Sequence, residues 1–599
     1  MTMIRERLAA LRAGMKEAGI DWYIVPSGDC HCSEYLSDYF RTVRFISGFT
    51  GSAGTVLIGK DRAYLWTDGR YFIQAERELA GSGIELMRMA QAGVPTVTEF
   101  LKAEVKDGET LGFDGRMTSA KLAAEWEEKA FAGRGIRLAM DRDLIGEIWS
   151  DRPAQRFSTP FLLPERFTGR SAADKIAAVR EKMKEAGATL HFLSALDDIA
   201  WLLNLRADAV PNNPVVFGFV KLTEDEAVLY CRKAIFPAEI ANALAAQGVS
   251  LQEYEEIWSE AEKIGPKETV LYDPMKTACR LAYAIGQSGA NKITKTNPTT
   301  LMKCVKNPTE QEALRESHRK DGLAMVKWLY WLKHHPDPES LSEIDVSDYL
   351  EKCRRQEGAF ELSFGTIAAM GPNAAMMHYS ATPQNYAMIQ KKGFLLVDSG
   401  GQYPDGTTDI TRTVAMGPLT ENERLHYTAV LRSFLRLGMA KFLKGSTCYF
   451  LDILARGPVW DLGIDYRCGT GHGVGFCLNV HEGPNGFRWT KPAALDGLVE
   501  LQPGMVTTDE PGVYIEGGYG IRIENELLCV TDEENEYGQF YRFEHLTVCP
   551  IDLTPVMTEL LAPDEKKALN AYHAMVYERL KSGLSGEEAA WLKEITAPI

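Results

Sequence analysis

The chain has 599 residues, of which 45% are apolar and 25% charged, and its net charge is −16. That length exceeds a single hydrophobic core and points to about three domains. Such an acidic protein repels nucleic acid and anionic membrane surfaces, which removes both as partners, while it weakly attracts a positive amino terminus.

The eleven cysteines show no repeating spacing. Only Cys30 and Cys32 lie close together, so a reducing compartment is expected. Residues 1–19 read as an amphipathic helix of mixed charge and lack the apolar core of a secretory signal. No apolar run reaches membrane-spanning length. A cytosolic protein is the expectation.

Residues 7–25 (RLAALRAGMKEAGIDWYIV) and 175–193 (KIAAVREKMKEAGATLHFL) repeat one pattern. Each gives a charged helix, a glycine stop after MKEA, then a short apolar strand. Aromatic and apolar segments follow at 44–58 and 199–208. Two similar α/β domains in tandem are the simplest account. Residues 63–72 read as strand, turn, strand. The stretch 150–169 carries Pro153, Pro160 and Pro164 with little helical periodicity, which marks a linker. A second boundary falls near residues 290–308, so the divisions are 1–155, 156–305 and 306–599. A long helix opens the last part, with Thr309 and Glu312 at capping-box spacing. The remainder mixes helices and strands, and a pair of packing helices begins near Asp564.

Candidate chemistry concentrates in that last part. In residues 393–417 an apolar strand ends at Asp398, Pro404-Asp405-Gly406 supplies turn chemistry, and a returning strand opens at Asp409. A hairpin then sets the two carboxylates face to face. An aspartate directly after four apolar residues is hard to explain as a solvated cap, because burying an unpaired charge is expensive. In residues 505–531 the Gly517-Gly518 turn folds one strand back on another, which brings Glu510 and Glu524 together. Alternation puts Arg522 and Glu524 on the face opposite Ile521 and Ile523; a solvent-facing polar strand is the ordinary alternative. His472 lies among four glycines that let the backbone approach another group closely. Four carboxylates and one imidazole can hold two divalent cations with a water between them, which makes a hydrolase. The oxygen-rich set favours Mn(II), or Co(II) in vitro, and the affinity order also admits zinc.

Taken together, the motifs SGFTGSAG, WTDGRYF, ALDDIAWLLNLR, DSGGQYPDGTTDITRT, GTGHGVG, NVHEGP and DEPGVYIEGGYGIRIENEL resemble those of the pita-bread metallopeptidases. The resemblance is strongest to the long, three-domain aminopeptidase P (Xaa-Pro aminopeptidase) group and runs along essentially the whole chain. It implies an α/β (α+β) architecture of two tandem creatinase-like domains and a C-terminal pita-bread catalytic domain with a helical tail. It implies removal of the first residue from peptides whose second residue is proline, by a metal-bridging hydroxide. Carried over by residue, Asp398 would chelate one metal, Asp409 and Glu524 would bridge both, and His472 and Glu510 would complete the second site. His378 and His481 would donate to the developing oxyanion, worth about 3–4 kcal/mol per donor in other hydrolases. Tyr514 and Arg522 would orient ligands and substrate. The family suggests a homodimer.

One position departs from the pattern. The family usually reads HGTGHG, and Cys468 stands where its first histidine would be. Two rivals follow: a prolidase-like dipeptidase, and a catalytically weak peptide-binding homologue. Prolidases carry one N-terminal domain, whereas this chain carries a duplication. A pure scaffold typically loses ligands, whereas all five are present.

Overall fold

The computed structural model describes residues 2–490 and 498–599. They separate into two compact units, Met1–Leu163 with Arg170–Thr299, and Pro164–Gly169 with Thr300–Ile599.

The first unit holds two six-stranded sheets built to one plan. Helices Thr2–Ala18 and Ala172–Ala186 each end at a glycine in the left-handed region, Gly19 at φ 66° and Gly187 at φ 77°. Glycine takes that conformation without a Cβ penalty, which explains the stop after MKEA. The strands Trp22–Pro26 and Leu190–Leu193 come next in the chain. Across the first sheet the order is Glu85–Arg88, Ala63–Thr67, Thr55–Ile58, Trp22–Pro26, Thr110–Gly112, Arg137–Ala139. Across the second it is Val249–Glu253, Ala227–Cys231, Gly218–Thr223, Leu190–Leu193, Thr269–Tyr272, Asn291–Thr294. In both sheets the second and third junctions are antiparallel and the others parallel. The first sheet is covered on both faces: Trp22 and Ile24 enter one apolar cluster, while Tyr23 and Val25 enter another. Period-two alternation between two buried faces gives such a strand a continuous apolar run.

One expected strand is absent. After Ala63–Thr67 the chain turns and enters the helix Phe72–Leu79. Its buried residues Phe72, Ala75 and Leu79 recur at helical spacing, and this outweighs the β-rich look of Tyr71 and Phe72.

The long helix of the second unit is Pro308–Lys333. Its cap is Asn307, not Thr309. The Asn307 side chain accepts from the N–H groups of Thr309 and Glu310, and Glu310 reaches back to the Asn307 N–H. Pro308 occupies the first helical position, where a missing N–H costs nothing, and so moves the cap one residue ahead of it. A three-stranded sheet pairs Ile367–Met370, Phe394–Ser399 and Ile410–Ala415. A four-stranded sheet orders Lys441–Leu443, Gly538–His545, Asn525–Asn535 and Val506–Asp509. The strands Gly512–Ile515 and Tyr519–Arg522 form a separate hairpin through Gly517 at φ 71°. Helices Glu421–Gly438 and Pro563–Leu580 share one apolar cluster with this hairpin. The chain ends in the helix pair Pro563–Leu580 and Gly586–Ile595 expected near Asp564.

Asn307→Ala is expected to cost about 1 kcal/mol, whereas Thr309→Ala costs less than about 0.5 kcal/mol. Urea unfolding of both variants checks this, and equal losses would return the cap to Thr309.

Candidate metal centre

The Phe394–Ser399 and Ile410–Ala415 strands pair antiparallel, with Asp398 opposite Thr411 and Ser399 opposite Ile410. Asp409 sits one residue before the second strand, so the expected hairpin does bring the two aspartates to one end of the sheet. The hairpin at 512–522 delivers Arg522 to the same place. Its Nη2 donates to Asp398 Oδ2 at 2.5 Å, its Nη1 to the Tyr514 hydroxyl at 2.7 Å and its Nε to Thr411 Oγ1 at 3.0 Å. Thr411 in turn donates to Glu524 Oε2 at 2.7 Å. The solvent-facing reading of this strand is excluded, since Ile521, Arg522, Ile523 and Glu524 are all at most 3% exposed.

His472 closes the other side. Its Nε2 lies 3.4 Å from Asp409 Oδ2 and 3.5 Å from Glu510 Oε1. Its Nδ1 lies 2.9 Å from the Gly473 carbonyl, which makes Nδ1 the donor there and directs Nε2 toward the acids. Thr508 Oγ1 accepts from the His472 N–H at 2.9 Å and donates to Glu510 Oε1 at 3.1 Å. The glycines around His472 are needed for contact. A Cβ on Gly471 would meet the Thr508 carbonyl oxygen at 1.8 Å, and one on Gly473 would meet that of Glu482 at 2.1 Å. Ligand atoms of Asp409, His472 and Glu524 all lie within 4.8 Å of one another.

The charge in this pocket is only partly compensated from within. Burial pushes the Asp409 carboxyl well above the usual carboxylate range, and Asp398, Glu510 and Glu526 push it further. Burial does the same to Glu524, followed by Asp409, Glu510 and Asp398, with Arg522 opposing. Asp398 Oδ1 is buried with no hydrogen-bond partner among the described residues. Acceptor-only oxygens facing one another, an imidazole nitrogen directed toward them and an orphan carboxylate oxygen are a donor set that fits hard divalent cations.

Of the remaining expected residues, His481 packs directly on a candidate ligand. The His481 ring is centred 4.2 Å from the His472 ring, with the planes at 67°. Half-buried His378 follows the short turn Gly371–Ala375, which packs on the hairpin so closely that a Cβ on Gly520 would meet the Ala374 carbonyl oxygen at 1.8 Å. Cys468 packs against the apolar cluster that also takes in Tyr514, and its carbonyl accepts from Arg456 at 2.6 Å.

Several supporting residues escaped the sequence reading. Thr411, Thr508 and Glu526 each lie two residues from a candidate ligand, so strand alternation could have found them. Glu526 accepts from the Asp409 N–H at 2.7 Å and faces His318 Nε2 at 3.1 Å. Burial opposes the imidazolium of His318, but Glu526 outweighs it and holds the pKa above its ordinary value. Glu482, beside His481, is buried in an ion pair with Lys306, and Lys303 lies 3.7 Å away. No local pattern marks His318, Lys303 or Lys306.

The chain is similar to known proteins along its whole length. The description "Metallopeptidase family M24" matches residues 312–531, and "C-terminal region of peptidase_M24" matches 539–599. "Creatinase/Prolidase N-terminal domain" matches twice, at 7–138 and 151–310. The chain is 38% identical to a probable Xaa-Pro aminopeptidase P of Botryotinia fuckeliana, covering 99% of this chain and 93% of that one. It is 37% identical to aminopeptidase P1 of Arabidopsis thaliana, covering 99% of both. Among solved structures it is similar to X-prolyl aminopeptidase from Caenorhabditis elegans, described as a cytosolic enzyme with a di-nuclear active site; the TM-score is 0.92, with 33% identity and 100% of both chains covered. These full-length relationships, and the acidic pocket that the fold assembles, show that the chain belongs to the Xaa-Pro aminopeptidase P family of M24 metallopeptidases.

Proposed function

We propose that this protein is a metal-dependent aminopeptidase that releases the first residue from peptides with proline in the second position. The convergence of Asp409, His472 and Glu524 within 4.8 Å carries that reading, and the full-length relatives named Xaa-Pro aminopeptidase P support it. The catalytic part would be residues 306–599, after domains 1–155 and 156–305. Asp398, Asp409, His472, Glu510 and Glu524 would hold two cations, with Asp409 and Glu524 shared between them. The preponderance of carboxylate oxygens favours Mn(II).

Two divalent cations, when bound, polarise the scissile carbonyl and acidify a water. The protein's own groups do the rest. Arg522 holds Asp398 in place and places one positive charge against four carboxylates. Thr411 and Thr508 orient Glu524 and Glu510 through their hydroxyls. His481 and His378 donate to the oxygen that gains charge as the carbonyl is attacked. The bond before proline has no N–H, so recognition by these groups runs through its carbonyl alone. The acidic pocket also attracts the ammonium of a free amino terminus.

The proposed homodimer is supported by an exposed apolar face on the helix Cys448–Trp460, formed by Phe450, Ile453 and Trp460 with Trp489 beside it. The proposed cytosolic setting is supported by eleven free cysteines. No helix among the described residues is long and apolar enough to cross a membrane.

Purified protein should cleave an Xaa-Pro-Yaa tripeptide with Mn(II), and Asp409→Ala should lower that activity by more than about a hundredfold. Cleavage confined to Xaa-Pro dipeptides would favour the prolidase reading instead. His481→Ala should lower kcat by about 10²-fold or more, and Cys468→Ala by much less. Equal losses would show that Cys468 is as important as His481.

In metal-free protein the raised carboxyls of Asp409 and Glu524 stay protonated after the unfolded chain has released its protons. Their contribution to stability is therefore full below about pH 4 and is lost as the pH rises through their folded values. Chelated wild type should lose more stability than chelated Asp409→Asn as the pH rises above about 4. Mn(II) should restore it, with larger shifts at higher pH because the ligands must be deprotonated. Identical pH slopes in the two chelated proteins would refute the repulsion.

A further inference from the structure

We propose that Glu343 is a positioning residue that holds the loop bearing His378, an inference that rests on the proposed role of His378 as a donor to the oxyanion. Glu343 is the first residue of the helix Glu343–Gln356 and is fully buried. Its carboxylate spans a loop of the chain from Met370 to Ala387. Oε1 accepts from the Met370 N–H at 2.7 Å and from Asn373 Nδ2 at 3.0 Å. Oε2 accepts from the Tyr379 hydroxyl at 2.8 Å and from the Ala387 N–H at 2.7 Å. The Glu343 N–H in turn donates to the Ala387 carbonyl at 3.0 Å. One side chain thus ties down both ends of the loop and two residues within it, Asn373 and, directly after His378, Tyr379. The turn Gly371–Ala375 in the same loop is wedged against the hairpin that carries Arg522 and Tyr514.

All four of these partners donate, so the position requires an acceptor on both oxygens. Glutamine is nearly isosteric but has one oxygen and one NH₂. If its oxygen faces Met370, the amide points at the Ala387 N–H; turned over, it points at the Met370 N–H. Neither backbone N–H can rotate away, so one buried donor loses its partner. Charge and shape are separated by this substitution, because the volume is unchanged.

The test is a double-mutant cycle of E343Q with H378A in the Mn(II)-loaded enzyme, assayed on an Xaa-Pro-Yaa tripeptide. E343Q should lower kcat about tenfold with KM within about twofold, and should add less than about twofold in the H378A background. Hydrogen exchange should rise at the Met370 and Ala387 amides, while Mn(II) affinity is unchanged. Y379F removes one donor and serves if E343Q folds poorly: it should give a smaller kcat loss with the same lack of additivity. Equal kcat losses in both backgrounds, or wild-type kcat in E343Q, would overturn the positioning of His378 by Glu343. Wild-type kcat in H378A would overturn the role of His378 itself, and the proposal with it.

Discussion

Asp409 and Glu524 are buried to within a few per cent and face two further carboxylates, so each resists ionisation both through lost hydration and through its neighbours. Among the described residues one guanidinium, that of Arg522, is in direct contact with these acids, at Asp398. One positive charge set against four acids leaves an excess that suits divalent cations. The surrounding hydrogen bonds follow from that constraint. Arg522, Thr411 and Thr508 each bond the carboxylate of a proposed ligand from outside, which fixes its direction while leaving oxygens turned inward. His472 spends its Nδ1 on a backbone carbonyl for the same reason.

Behind the pocket, Arg412 ties several chain segments together. Its guanidinium donates to the carbonyls of Pro550, Thr411, Glu524 and Cys549, to Asn525 Oδ1 and to the Tyr572 hydroxyl. A buried guanidinium is tolerable only when its donors are satisfied, and here they are met mainly by backbone oxygens. The C-terminal helix Pro563–Leu580, through Tyr572, is thereby linked to the carbonyl of Glu524. The tail that reads as a simple packing helix thus supports a candidate metal ligand. Glu343 acts in a comparable way on a different wall, with an anion collecting donors where Arg412 collects acceptors.

Much of the architecture was legible because it rests on local chemistry. The MKEA-glycine repeat marked two helix ends that Gly19 and Gly187 realise in the left-handed region, and two sheets of identical strand order follow from it. The Asp398 and Asp409 hairpin was legible from a turn between apolar runs. Two local readings failed for identifiable reasons. Tyr71 and Phe72 look β-like in isolation, but the longer spacing of Phe72, Ala75 and Leu79 makes a helix. The capping pair was placed at Thr309 and Glu312, whereas Pro308 at the first helical position puts the cap at Asn307, two residues before Thr309.

The sequence alone determined which residue types were available for the site and how each reached its local position. Strand alternation, turns and glycines act over a few residues, and they set the local positions of the proposed ligands Asp398, Asp409, His472, Glu510 and Glu524. Only the tertiary structure decided which charges meet. His318 on the helix Pro308–Lys333 finds Glu526, Lys306 finds Glu482, and Glu343 finds both ends of the His378 loop. These partners are far apart in the chain and carry no periodic signature. Their pairing is set by the packing of whole elements and by the cost of leaving a buried charge or donor unmatched.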